Sequence, residues 1–294
     1  MVELGSMRKT KCGPPILPVR LENYVIATVN DGILLCGGVM RDGVSDASST
    51  YATSECFLLD KGRNWHRSPI EPPMLEKRKS PAAVILGNDL WVTGGFHGNT
   101  YRASTELPSP DKRWRSFVNL PQRMAWHCVV KINCTHAFFS GGYDGHRRLN
   151  SAYIYSKQNG WQQMENMPIT RDHHACTLLA DQENILIAGG MTYRMEYLSS
   201  TFVFSLTTKK WKSGPSLPRA TVDAQMITAN NLTYFMGGFV GNVRVKRKTS
   251  EVYRFDSVGN SLWQWSQVAS LPSSKAKFGA IPFYLNECCG CNIL

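Results

Sequence analysis

Short apolar runs recur along this chain, and each is followed by a pair of glycines. Ile33–Cys36 runs into Gly37-Gly38, Leu90–Val92 into Gly94-Gly95, and Ala137–Phe139 into Gly141-Gly142. Ile185–Ala188 and Tyr234–Met236 lead to Gly189-Gly190 and Gly237-Gly238. Apolar runs of this length, bounded by turn residues, predict buried strands. The glycine pairs lie 57, 47, 48 and 48 residues apart. A period of about 50 residues means that one supersecondary unit is repeated, and this bounds the architecture before any residue is read alone.

Other positions keep the same period. A tryptophan follows each pair, at Trp65, Trp114, Trp161, Trp211 and Trp265, and a proline comes seven or eight residues later, at Pro73, Pro121, Pro168, Pro218 and Pro272. A basic residue then stands one to five positions further on, at Arg78, Arg123, Arg171, Arg219 and Lys275, and a sixth copy of this ending is Leu17-Pro18-Val19-Arg20. A glycine pair closing a buried strand permits positive φ and close backbone approach. The tryptophan falls on an outer strand, where it can cover the gap to a neighbouring unit, and the proline is expected to end that strand, where a missing N–H is tolerated.

Gly-Gly, a Val-Tyr-like strand, Trp, Met/Leu-Pro and Arg together resemble the kelch repeat. The match is close at Gly237-Gly238 with Ser250-Glu251-Val252-Tyr253 and Trp265, and at Gly141-Gly142 with Tyr153-Ile154-Tyr155, Trp161, Met167-Pro168, Arg171 and His174. It covers nearly the whole chain. The resemblance implies an all-β, kelch-type β-propeller in one domain over residues 1–294, each blade a four-stranded antiparallel meander around a central channel. The second unit departs from the pattern: Glu106-Leu107-Pro108 stands where an aromatic strand is expected, which leaves its outer strands in doubt.

Six blades are expected. An inner strand over Phe278–Leu285 begins the last one, and residues 1–16 complete it, although they carry no tryptophan. The alternative is five blades with frayed ends. Radial repetition leaves few exposed sheet edges in either case.

No apolar run approaches the ~20 residues of a membrane span. The start, with Glu3, Arg8, Lys9 and Lys11, has no apolar core like that of a signal peptide. The chain is therefore read as made for the cell interior, or as lacking a leader. Nine cysteines leave the exterior open. Cys36 and Cys56 fall on adjacent predicted strands, Cys128 and Cys134 on one predicted hairpin, and Cys12 could meet Cys288, Cys289 or Cys291 across the closing blade. The competing reading makes Cys36, Cys128 and Cys176 small buried hydrophobes. Asn133-Cys134-Thr135 and Asn231-Leu232-Thr233 are glycosylation sequons, a number close to chance. Cys291-Asn292-Ile293-Leu294 fits a prenylation box, so Cys291 is the one place where a lipid anchor is written; a strand there would exclude it.

Signatures of catalysis are missing: no phosphate loop, no Gly-x-Ser-x-Gly elbow, no His-Glu-x-x-His. Cys288-x-x-Cys291 has no second half to make a zinc site. A copper oxidase of the galactose oxidase type also uses a propeller, but it needs two His, two Tyr and a Tyr–Cys crosslink at one metal. His127 and Cys128 are consecutive on a predicted strand and so face opposite ways. No cofactor and no enzymatic activity are expected.

The loops carry the functional signal. In a meander, the turn from second to third strand and the link to the next blade emerge on the same face. That face is rich in arginine, and the whole chain has a formal net charge of +11, which favours an acidic partner. Arginine suits bidentate contact with carboxylates. The candidate contact residues are Arg78, Arg123, Tyr143, Arg147, Arg148, Arg171, Tyr193, Arg194, Arg219, Arg244 and Arg247, with the tyrosines as amphipathic anchors. For the arginines that open inner strands, bonding to a neighbouring blade's carbonyls competes with a contact role.

The expected function is a non-enzymatic interaction module that takes an acidic or loop-like segment of a partner protein. Kelch propellers often form the substrate-recognition end of cullin ubiquitin-ligase adaptors. The 294 residues hold no BTB domain of the kind such adaptors carry, so the chain reads as a fragment of one or as a propeller by itself. A secreted, disulfide-stabilised kelch protein acting on extracellular partners or glycans is the alternative. Nucleic-acid binding fits less well, because the basic residues are scattered over loops without a tract of stacking aromatics.

Overall fold

The computed structural model describes residues 17, 19–29, 32–41, 52–61, 64–68, 73–258 and 262–277. Among them there is no helix, and five four-stranded antiparallel meanders follow one another in chain order. The first has strands Val25–Val29, Gly32–Cys36, Cys56–Asp60 and Trp65–Arg67. The second has Ala82–Leu86, Asp89–Thr93, Thr105–Pro108 and Trp114–Ser116. The third runs through Cys128–Lys131, His136–Ser140, Ala152–Ser156 and Gly160–Gln163. Ala175–Leu178, Asn184–Ala188, Thr201–Ser205 and Trp211–Ser213 make the fourth. Gln225–Ala229, Leu232–Met236, Lys246–Val258 and Leu262–Lys275 make the fifth. The predicted apolar runs are the second strand of every blade, and those strands are almost wholly buried.

The described residues divide into two compact units, one up to Asp172 and the other from His173 onward. Blades one to three lie in the former, which we call the first unit, and blades four and five in the latter, the second unit.

Within each unit the glycine pair makes the same two backbone bonds in every blade. The first glycine donates to the residue just ahead of the third strand in four blades, Gly37 to Glu55 O, Gly94 to Ser104 O, Gly141 to Ser151 O and Gly189 to Ser200 O, and in the fifth Gly237 donates to Glu251 O inside the long third strand. The second donates to the link leading away from its blade, as Gly38 does to Arg78 O, Gly142 to Arg171 O and Gly238 to Lys275 O. Gly94 shows why no side chain fits: its φ is +63° and an added Cβ would stand 2.2 Å from Met124 O.

A second repeat was not visible in the sequence. Asn23, Ser80, Trp126, His173, Asp223 and Lys277 all take left-handed φ between 52° and 58°. Five of them stand two residues before an inner strand. In the first unit Ser80 N donates to Asn23 O and Trp126 N to Ser80 O; in the second, Asp223 N donates to His173 O and Lys277 N to Asp223 O. The chemistry of these side chains has nothing in common, so backbone geometry alone carries the motif. The sixth member, Lys277, carries the series beyond the fifth blade.

The cores lie between consecutive blades. Val25, Leu34, Cys36 and Leu58 of blade one pack with Leu90, Val92 and Trp114 of blade two. Leu86, Trp91 and Leu107 of blade two pack with Ala137, Phe139 and Tyr155 of blade three, with Trp161 against them. In the second unit Leu186 and Val203 pack with Met226, Phe235 and Tyr253, covered by Trp263 and Trp265. Three of the repeated tryptophans, Trp114, Trp161 and Trp265, therefore bridge blades as expected. Two of them also reach the preceding blade's outgoing segment, Trp161 Nε1 donating to Asn119 O at 2.8 Å and Trp265 Nε1 to Pro215 O at 3.0 Å.

Several expectations need correction. The outer strands of blade two form in spite of Glu106-Leu107-Pro108; Leu107 faces the core and Glu106 has a buried partner. Pro272 does not end its strand but lies inside Leu262–Lys275, and Pro121, Pro168 and Pro218 follow strands that have already ended. Cys36 and Cys56 are directly opposed across adjacent strands and form a disulfide, with Cα atoms 4.2 Å apart. Cys128 and Cys176 are also disulfide-bonded, so Cys36, Cys128 and Cys176 are not free apolar fillers. The hairpin pairing of Cys128 with Cys134 fails because Cys128 lies opposite Ser140 while Cys134 sits exposed and free in the turn. The Phe278–Leu285 strand, residues 1–16, Cys12, Cys288, Cys289 and the Cys291 box lie outside the described residues, and so does the closure of a sixth blade.

Candidate functional site

In four of the five described blades the residues after the glycine pair fold back onto the link that enters the same blade, whereas in the fourth Met191 pairs with Tyr197 within the turn. Val39 pairs with Glu22, Phe96 with Lys79, Tyr143 with Ala125, and Phe239 with Val222. This second layer of pairing gathers link and turn at one edge of each unit, as the antiparallel alternation requires.

In the first unit that edge carries an aromatic cluster. Phe96 and Tyr101 stack with centroids 4.9 Å apart, Trp126 lies 4.6 Å from Phe96, and Tyr143 meets Tyr101 edge-on at 5.2 Å. Lys79 sits over Phe96 at 4.5 Å and Arg148 over Tyr143 at 5.8 Å. Burial, then Tyr143 and Asp172, pushes the Tyr101 phenol above its ordinary range. Of the aromatic rings in this cluster, only Tyr143 was a candidate contact residue from the sequence. Phe96 was legible in principle, since it follows Gly95 as Tyr143 follows Gly142; Tyr101 and Trp126 arrive by tertiary packing.

The arginines divide sharply. Arg78 and Arg171 are fully buried, which removes both from any contact surface. Arg78 donates to Gly94 O at 2.7 Å and Ser104 O at 3.1 Å and pairs with Glu106 and Glu76. The carbonyls it serves belong to its own blade, not to a neighbouring one. Burial lowers the Arg78 pKa, with Glu106 opposing it, and lowers that of Arg171 to about 10. Arg148 is nearly enclosed, with its Nε donating to Asp172 at 2.9 Å. Arg147 is exposed, 3.6 Å from Asp144, and Arg123 is exposed as well.

In the second unit, Arg194 packs on the exposed Tyr193 ring, with Nε 2.7 Å from its hydroxyl. Arg219 and Arg247 stand on the walls of a cleft of about 540 Å³, whose other lining residues are Ala220, Val240, Gly241, Asn242 and Val245. Arg219 is half-exposed and lies 3.4 Å from Glu251, and Glu251 also accepts the Tyr253 hydroxyl at 2.8 Å. Arg244 and Arg247 lie on the exposed stretch 241–248 and make no ion pair among the described residues. The cleft thus offers one loosely held and one unpaired guanidinium beside apolar walls, a geometry that suits a carboxylate next to an apolar group.

Histidine and metal chemistry find little here. His127 is buried with Nε2 3.0 Å from Thr93 Oγ1, and burial lowers its pKa to about 3. Cys128 is held in a disulfide and is not available for a thioether crosslink. Among the described residues no three His, Cys, Asp or Glu side chains gather as a metal site, and no helix is long and apolar enough to cross a membrane.

With this geometry in hand, comparison with known proteins gives one consistent picture. The Kelch motif model matches residues 173–218. Spermatocyte protein spe-26 of Caenorhabditis elegans is 24% identical over 73% of this chain and 37% of its own length. Kelch-like protein 23 of Mus musculus is 20% identical over 90% of this chain and 44% of its own. Among solved structures, that of YjhT superposes with a TM-score of 0.72 at 12% identity, covering 84% of each chain. The chain carries a Kelch motif at residues 173–218 and has an all-β, kelch-type β-propeller fold. It spans less than half the length of these curated relatives.

Proposed function

We propose that the chain is a non-enzymatic protein-interaction module that takes an acidic, loop-like segment of a partner protein at the edge built from links and inter-strand turns. The relatives named kelch-like and the repeat fold support an interaction module. The observation that carries the acidic partner is the 540 Å³ cleft, where Arg219 and Arg247 flank apolar walls and Arg247 has no carboxylate of its own among the described residues. An unpaired guanidinium in a concave site strengthens a charge-assisted contact, because no internal pair must break first. Within a longer protein, this activity fits the substrate-recognition part of a cullin ubiquitin-ligase adaptor.

The test is an array of short peptides graded in Asp and Glu content, read with the intact chain and with Arg219→Glu/Arg247→Glu. Acidic peptides are expected to bind best, and the double variant to lose about tenfold or more at unchanged melting temperature. Equal binding by both proteins overturns the reading. Arg148 is unsuitable for this reversal, because Glu in its place would leave Asp172, 2% exposed, facing a like charge.

A further inference from the structure

We infer that the tips of two inter-strand turns in the second unit, residues 192–196 and 241–248, dock onto an anionic lipid bilayer. The inference does not rest on the acidic-segment reading: the tip 241–248 shares Val245 and Arg247 with the cleft wall, but Tyr193, Met195, Val243 and Arg244 do not line the cleft.

Exposed large hydrophobics are few among the described residues, and four of them sit on these two tips: Tyr193 at 66%, Met195 at 54%, Val243 at 43% and Val245 at 76%. Each pair has an arginine between its members, Arg194 in one turn and Arg244 in the other, and three more cations follow at 246–248. None of these five cations has a carboxylate partner among the described residues. The nearby acid, Glu196, accepts from Thr192 Oγ1 at 3.4 Å. Both turns join a second to a third strand in consecutive blades of one unit, so they emerge at the same edge.

The tips are also preformed. Met195 N donates to Thr192 O at 2.9 Å, and Thr192 N to Glu196 O at 2.9 Å. Asn242 Oδ1 accepts from Arg244 N at 2.9 Å and Val245 N at 2.8 Å, and Asn242 N donates to Val245 O at 3.1 Å. Little ordering remains on binding.

Convex apolar tips ringed by cations match the bilayer interface. Valine, methionine and tyrosine gain by entering the headgroup–acyl boundary, while arginine and lysine stay at headgroup level and meet anionic lipid. Neither part suffices alone, since apolar insertion and basic attraction are each marginal and stable attachment takes both. A nucleic acid would use the cations and stacking aromatics but not the aliphatic tips. The contact needs neither a membrane span nor a lipid tail, the two routes considered from sequence.

The experiment is co-sedimentation of the intact chain with vesicles of phosphatidylcholine alone or with about one part in three phosphatidylserine. Pelleting is expected with the anionic vesicles only, weakened at high salt. Met195→Asp/Val243→Asp is expected to lower the partition coefficient about tenfold or more while leaving acidic-peptide binding in the cleft unchanged, and Arg244→Glu to act in the same direction. The inference is overturned if wild type stays in the supernatant, if neutral vesicles bind it equally, if the variants pellet like wild type, or if only soluble DNA or heparin binds. Peptide binding without vesicle binding would end this inference and leave the cleft reading intact; vesicle binding without peptide binding would do the reverse.

Discussion

Arg78 and Glu106 form an ion pair from which solvent is excluded on both sides, the side chains being 0% and 1% exposed. Glu106 also accepts the backbone N–H of Leu75 at 2.5 Å and of Glu76 at 3.1 Å. The pair therefore locks the link from blade one into the third strand of blade two. A residue that breaks the repeat pattern supplies the charge that a buried arginine requires.

Removing one partner should be far worse than an ordinary surface change. Arg78→Met is expected to cost about 3–5 kcal/mol, because Glu106 would keep a buried, uncompensated charge. Arg78→Lys should recover little, since an ammonium cannot reproduce the planar fork that serves Gly94 O, Ser104 O and Glu106 together. Denaturant unfolding of the two variants decides the matter; a loss below about 1 kcal/mol for Arg78→Met would show that the pair is not closed to water.

His127 sets a pH dependence. Its folded pKa is lowered to about 3 by burial, below the ordinary 6.5. Above pH 6.5 both states are neutral and the group is silent. As pH falls below 6.5 the unfolded chain takes up a proton that the folded chain refuses until about pH 3, so stability declines by about 1.4 kcal/mol per pH unit. The unfolding free energy of wild type relative to His127→Phe, from urea denaturation at about pH 6 and pH 4, should fall by that slope. Parallel curves would mean that His127 protonates in the fold.

The cysteines make a chemical prediction. Among the described residues, alkylation of the native, unreduced protein should modify Cys134 and spare Cys36, Cys56, Cys128 and Cys176. Cys36→Ser/Cys56→Ser, which opens a crosslink of sequence separation 20, should lower stability by about 2–4 kcal/mol. Peptide mass mapping gives the answer, and alkylated Cys36 in the unreduced protein would refute the crosslink.

Two glycines separate backbone strain from steric exclusion. Gly94 and Gly98 both have positive φ, +63° and +57°, but a Cβ on Gly94 meets Met124 O at 2.2 Å and one on Gly98 meets nothing within 4 Å. Gly98→Ala should cost about 1 kcal/mol from left-handed φ alone. Gly94→Ala should cost clearly more, about 2 kcal/mol or above, because strands Asp89–Thr93 and the link at Met124 must move apart. Thermal melts of the pair provide the comparison, and equal shifts would contradict it.

The link-and-turn edges were legible only in part. Tyr143 and Arg147 lie in the first unit and Tyr193, Arg194, Arg244 and Arg247 in the second, each after the glycine pair of its blade, but Arg78 and Arg171, at equivalent repeat positions to the half-exposed Arg219, are sealed inside. Repeat position fixes where a Cα stands. Whether its guanidinium turns inward depends on acceptors elsewhere: for Arg78 these are Gly94, Ser104 and Glu106, 16 to 28 residues away.

The sequence by itself determined the repeat, the buried second strands, the glycine-pair turns and the tryptophans that bridge blades, because each rests on hydrophobicity, φ freedom or size at one position within a local period. The tertiary structure alone decided the left-handed residues ahead of the inner strands, whose side chains run from Ser80 to Trp126 to Lys277. It also decided the Phe96–Tyr101–Trp126–Tyr143 cluster and the cleft beside Arg219. These depend on which segments meet across blades, and residue type at a single position does not encode the identity of a neighbour that arrives from another repeat.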